Sequence, residues 1–276
     1  MYLLSLITCV AMSIAAATAA TDPRLSFTYL DLVDPTVEFK PVMATGGLCK
    51  FSIEETPGEI ETIEYSIFDN TSTPGYEGKR CIIEQEMALA LKNVQNSLRE
   101  TGPYTLRVYD AYRPTQAVDS SQIWAQQEEN PIVKRFHHPN LEKKGLHDLV
   151  YISRRSPHSM GLAVDLTIAF TEPSMYDFTQ HRPKDFIGIF NPDEIDVGNV
   201  GFLAFDQRSC HYYTELTPKQ TANRKLLLDH MLGKGFEKLG LEFWHYFYKR
   251  ERNSTYAYNF PIKDDYLINE DGVIVF

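Results

Sequence analysis

Two histidines and an aspartate, far apart along the chain, must meet at one point for the segments that carry them to make chemical sense, and this requirement restricts the fold more than any other feature. The segments are Ser156-Pro157-His158-Ser159-Met160-Gly161-Leu162-Ala163-Val164-Asp165, Glu242-Phe243-Trp244-His245 and Tyr109-Asp110-Ala111-Tyr112-Arg113-Pro114. Two imidazoles and one carboxylate leave a tetrahedral Zn²⁺ with an open position, which a structural site would close with a fourth protein ligand. Water held there is acidified by the metal. Glu242, just before His245, can take its proton, and Arg113 can neutralise the oxyanion that forms when a carbonyl is attacked. The set points to a peptidase with one zinc ion, with His158, Asp165 and His245 as metal ligands and Glu242 and Arg113 as catalytic groups. Each part alone has a blander reading: a satisfied core pair, a half-buried aromatic strand whose histidine only packs, an arginine in a surface ion pair. Their combination changes the odds.

The rest of the chain sets bounds. At 276 residues with 43% hydrophobic content it can bury a substantial core. A net charge of −10, with no run of basic residues, argues against nucleic acid as a partner. Met1 to Ala20 carries no charged side chain and ends in small residues, so residues 1–20 read as a signal peptide and the protein as secreted or periplasmic, with an uncleaved anchor as the alternative because the n-region lacks Lys or Arg. No later segment resembles a membrane span. Residues 21–276 read as one domain. Among Cys49, Cys81 and Cys210, either a Cys49–Cys81 disulfide or three thiols is expected. Asn70-Thr71-Ser72 and Asn253-Ser254-Thr255 match the glycosylation acceptor pattern, which matters only in a eukaryotic secretory route.

Residues 21–75 suggest an extended N-terminal arm with one strand over 60–67. Ile83, Met87, Leu91, Val94 and Leu98 recur at helical spacing and predict a helix over 82–100, stopped by Thr101-Gly102-Pro103. A strand over 104–112 and a helix opening at Pro114 place Arg113 at a strand-to-helix junction. Residues 128–155 read as loops, 161–170 as a strand, and 171–216 as a long irregular region of the kind that forms lids or substrate-binding walls. Thr217-Pro218 caps a helix to Leu232, and 239–248 reads as the last strand. In a regular strand Glu242 and His245 would face opposite ways, so a bulge or a strand end must bring them together.

At these residues the chain resembles the D-alanyl-D-alanine dipeptidases, the VanX-type zinc peptidases, whose Ser-x-His-x-x-Gly-x-Ala-x-Asp, Glu-x-Trp-His and Asp-x-Tyr-Arg-Pro segments all occur here in the family's order. The likeness extends from about Phe27 through Gly75-Tyr76-Glu77-Gly78-Lys79-Arg80-Cys81 to Tyr258-Asn259-Phe260-Pro261-Ile262. It implies an α+β fold, a small antiparallel sheet flanked by helices, with the zinc site in a central cleft that admits a dipeptide. It implies the same five roles, with Ser156 near the substrate and Asp110 supporting Arg113. Two departures stand out. Met160 occupies the position where the family usually has arginine. Leu203 follows Phe202 where the family has the aspartate expected to hold the substrate's ammonium, and the nearest acid is Asp206, so either Asp206 or another acid does that work or the substrate differs.

The function expected is a secreted zinc dipeptidase acting on D-alanyl-D-alanine or a similar short D-residue peptide. A D,D-carboxypeptidase or peptidoglycan endopeptidase on a longer stem is one alternative, and a catalytically silent zinc-bearing binding protein is another.

Overall fold

The computed structural model describes residues 25–68, 73–149, 151–153, 155–172, 181–248 and 256–276. Residues 1–20, which read as a signal peptide, and both Asn triplets lie outside them. In chain order the strands are β1 (Phe27–Tyr29), β2 (Glu38–Phe39), β3 (Leu48–Thr56), β4 (Glu59–Ser66), β5 (Ile82–Glu84), β6 (Tyr104–Asp110), β7 (Ala163–Phe170), β8 (Phe236–Lys238), β9 (His245–Tyr248), β10 (Leu267–Ile268) and β11 (Ile274–Val275). The helices are α1 (Leu30–Val33), α2 (Gln85–Arg99), α3 (Thr115–Gln126), α4 (Pro131–His137) and α5 (Pro218–Leu232).

Among the described residues a five-stranded sheet in the order β2-β6-β7-β9-β8 carries the molecule, beside three two-stranded sheets. Its four inner pairings include one departure from an all-antiparallel arrangement: β2 joins β6 in parallel, Glu38 opposite Arg107. The sheet is therefore mixed. Arg107 explains the edge, because its guanidinium donates to Glu38 and also to Asp193 and Glu194, tying the edge strand and the irregular 191–196 segment to one buried cation. Strand β7, at the centre, is buried along nearly its whole length, with Asp165 and Thr167 on one face and Val164, Leu166 and Ile168 on the other.

Helix α2 covers β6 with the predicted apolar face, Met87, Leu91, Val94 and Leu98. The Glu84 carboxylate accepts from Met87 N–H at its start. Buried Gln95 joins it to the sheet, accepting from Leu106 N–H at 2.7 Å. Helix α5 opens with a full capping box between Thr217 and Gln220 and Pro218 in its first turn.

Three local expectations change. Residues 128–155 contain α4, announced by Asn130, whose side chain accepts from Ile132 and Val133 N–H, and by Pro131 in the first turn. Strand β3 pairs with β4, and its alternating Cys49, Phe51 and Ile53 point inward. The last strand is shorter than predicted: β9 begins at His245, and a turn closed by His245 N–H to Glu242 O at 3.3 Å precedes it.

No disulfide joins Cys49 to Cys81, and Cys210 likewise remains a thiol. Of the two alternatives the three thiols are the one met, because Cys49 and Cys81 serve different neighbourhoods. Cys49 lies in the β3–β4 hairpin with its Sγ 3.4 Å from Gly47 O and 3.9 Å from His137 Nε2, while Cys81 is buried where the chain enters β5, against β1. No helix among the described residues is long and apolar enough to cross a membrane.

Candidate metal centre and active site

His158 sits on a single 3₁₀ turn, Pro157–Met160. Ser156 Oγ accepts from His158 N–H at its start, and Gly161 closes it at φ 67°. That left-handed conformation suits glycine. A Cβ at Gly161 would lie 3.0 Å from Leu25 and 3.1 Å from Phe27, so a side chain there would crowd the packing of the turn onto them. Two residues later the chain enters β7, where Asp165 pairs with His245 across the antiparallel ladder. Residues directly opposite in a ladder project to the same face, so this register brings the acid and the second imidazole together.

The three groups converge. His158 Nε2 lies 3.2 Å from Asp165 Oδ2 and 3.3 Å from His245 Nδ1, and His245 Nδ1 lies 2.8 Å from Asp165 Oδ1. All three are buried. His158 Nδ1 is 2.7 Å from Ala111 O, and since a carbonyl can only accept, the ring proton belongs on Nδ1. Nε2 then presents a lone pair to the cluster. One proton on His245 Nδ1 cannot satisfy both that lone pair and a carboxylate, so the cluster holds more acceptors than protons. Such a donor set fits a divalent cation of zinc's coordination chemistry.

The electrostatics agree. Burial by itself would raise the Asp165 carboxyl, but the flanking His158 and His245 rings outweigh it and hold it ionised, well below the usual carboxylate range. Burial pushes His245 down against the pull of Asp165, which favours the neutral ring. Glu242 Oε2 stands 3.9 Å from His245 Nδ1. Burial raises its pKa well above the ordinary value, the Asp165 charge adds to the rise, and Arg113 opposes it.

Arg113 lies just past β6, after Ala111 and Tyr112. Its Nε donates to Asp110 Oδ2 at 2.7 Å and its Nη2 to Asp165 Oδ2 at 3.3 Å. Asp110 Oδ1 accepts from Ala111 N–H at 3.1 Å and from Tyr76 OH at 2.8 Å. A register shift between Val108 and Asp110 lets Asp110 pair with Asp165, so the irregularity needed to assemble the site falls in β6 as well as ahead of β9. Sequence reasoning did not single out Tyr76. Its one signal was its place in the Gly75-Tyr76-Glu77 segment.

A cavity of about 380 Å³ opens beside the cluster, and Arg113, Ser156, His158, Asp165, Glu242 and His245 all line it. This is near the lower end for small-molecule sites. Met160 and Leu203 line it too. Asp206 does not: its Oδ1 accepts from Arg208 N–H and Nε–H at 3.0 Å each, and its Oδ2 from Asn140 at 2.7 Å.

The sequence profile of the D-ala-D-ala dipeptidase family of peptidases matches residues 56–177 and 193–264, a span that contains every residue of the cluster together with Arg113, Glu242 and Leu203. This chain belongs to that family. Among its curated relatives is a D-alanyl-D-alanine dipeptidase of Enterococcus faecium, 30% identical over 205 residues, covering 72% of this chain and 91% of the relative. One from Streptomyces coelicolor is 31% identical over 202 residues, 72% and 90% of the two chains. One from Escherichia coli is 29% identical over 190 residues, 68% and 77%. As a member of the D-ala-D-ala dipeptidase family the protein is a peptidase, and its buried His-Asp-His group lies inside the family's matched span.

Proposed function

We propose that the protein is an exported zinc-dependent dipeptidase that hydrolyses D-alanyl-D-alanine or a similar short D-residue peptide. The observation that carries this reading is the convergence of His158, Asp165 and His245 within 3.3 Å of one another beside a carboxylate, Glu242, that is not needed to hold a cation. The names of the relatives support the substrate class. The apolar, small-residue-terminated leader supports export.

Zinc held by the two imidazoles and Asp165 would supply Lewis acidity and an acidified water. The remaining roles fall to the chain. Glu242, with its proton affinity raised by burial, takes a proton from the attacking water at its carboxylate and returns it to the leaving amine. A carboxyl of ordinary acidity would hold that proton less well between the two steps. Arg113 donates toward the carbonyl oxygen as negative charge develops, and Asp110 with Tyr76 behind it keeps the guanidinium aimed. The buried setting of the cluster keeps these charges in a medium of low dielectric, where each counts for more than in water.

Glu242→Ala tests the assignment. Turnover should fall roughly 10²–10⁴-fold while zinc stays bound at one equivalent. Substantial residual turnover would contradict the role of Glu242, and a zinc-loaded protein that cleaves no dipeptide of either chirality would favour a silent binding protein.

A further inference from the structure

Away from the cluster the cavity wall is apolar, and one residue on it is held with unusual care. Leu203 lies at φ 61°, a left-handed conformation rare for a residue with a branched side chain, and lines the cavity at 7% exposure. Its carbonyl accepts from His137 Nδ1 at 3.0 Å, and Phe205 N–H returns to His137 O at 2.8 Å. Next to it, the Phe202 ring stacks on Tyr109 with centroids 4.6 Å apart. The position of the leucine is thus set from behind by two buried side chains.

Acceptors for a cation are scarce on the wall. Among the described residues the only carboxylates lining the cavity are Asp165, turned to the two imidazoles, and Glu242, assigned above to the proton transfers. Asp206, the acid nearest to Leu203 in sequence, is spent on Arg208 and Asn140. The amine of a free dipeptide is an ammonium at neutral pH, with a pKa of about 7.7–8.0. Seated against Leu203, an apolar side chain that offers it no acceptor, it would be desolvated without a partner. An amide in its place is neutral, and its acyl group adds apolar surface to cover Leu203 and Phe205.

Within the peptidase reading above, on which this rests, we propose that the preferred substrate is a short peptide whose amino end is acylated, and that Leu203 is the residue that selects it over a free dipeptide.

The test compares D-alanyl-D-alanine with N-acetyl-D-alanyl-D-alanine on the zinc-loaded full chain near neutral pH. kcat/KM should be roughly tenfold or more higher for the acetylated peptide. Leu203→Asp, whose short polar side chain suits left-handed backbone better than leucine, should shift the preference about tenfold or more toward the free dipeptide, and Leu203→Asn, of the same shape without the charge, should not. A wild-type preference for the free dipeptide, or an Asp variant no better on it than the Asn variant, overturns the inference and leaves the peptidase reading standing. Cleavage of neither peptide sinks the peptidase reading instead. In that event titration calorimetry on zinc-loaded Glu242→Gln protein decides the selectivity: tighter binding of the acetylated peptide upholds it, and tighter binding of the free one overturns it. If neither Leu203 variant folds, the wild-type ratio decides alone.

Discussion

Two buried histidine clusters lie in this molecule, and they differ in how they account for their protons. His137, fully buried in α4, gives its Nδ1 proton to Leu203 O and bonds Tyr65 OH through Nε2 at 2.8 Å, so both ring nitrogens are used. Burial pushes its pKa down to about 3, as expected of an imidazole held neutral. At the other cluster, His158, His245 and Asp165 turn lone pairs on one another, and His245 Nε2 has no partner among the described residues. Both clusters are buried and both are polar. What separates a packing histidine from a candidate ligand is therefore the balance of donors against acceptors, and neither burial nor residue type reveals it.

The contrast can be broken by substitution. Replacing His158 or His245 with Ala should abolish turnover and weaken zinc binding by more than the roughly 10–100-fold that loss of an outer hydrogen-bond partner costs, with the fold intact by circular dichroism. If either variant keeps stoichiometric zinc, the two clusters are not different in kind. Arg113→Ala should leave zinc bound and lower kcat by roughly 10²–10³-fold, measured by steady-state kinetics. His137→Ala should do the reverse of a ligand loss: zinc titration unchanged, but stability in urea reduced by about 3 kcal/mol, because the Tyr65 hydroxyl and Leu203 carbonyl are left buried and unpaired.

Smaller effects sharpen the picture. Tyr76→Phe removes one of the bonds that fix Asp110 and should lower kcat about tenfold with KM little changed. His137 also gives the stability a pH dependence. The unfolded chain protonates this imidazole near its ordinary value and the folded chain does so only near 3, so the unfolded state binds more protons between about 6.5 and 3. Its contribution is complete above that window and is lost as pH falls, by about 1.4 kcal/mol per pH unit, whereas His137→Phe should flatten this part of the curve. An unchanged slope in the variant would show that the ring is already charged in the folded protein.

Much of the local structure was legible. The apolar period of α2, the Thr217-Pro218 start of α5 and the strand before Arg113 all express short-range backbone preferences, which a window of residues contains in full. Helix α4 carries an equally local signal in Asn130-Pro131, but the residues around it lack the clear apolar period that marks α2. That Cys49 and Cys81 stay unpaired could not be read, since spacing along the chain does not say whether two buried thiols share a neighbourhood.

The site divides along the same line. The kinds of group needed for metal chemistry, and the glycine that frees the turn after His158, are properties of the chain as written. That Glu242 and His245 share a side, that Asp110 slips into register with Asp165, that Tyr76 backs Asp110 and that Asp206 turns to Arg208 while Leu203 meets the cavity were decided only in three dimensions. The reason is that register, turn closure and the choice of hydrogen-bond partner are settled between segments remote in sequence, where many pairings satisfy the local rules and only the packed whole selects among them.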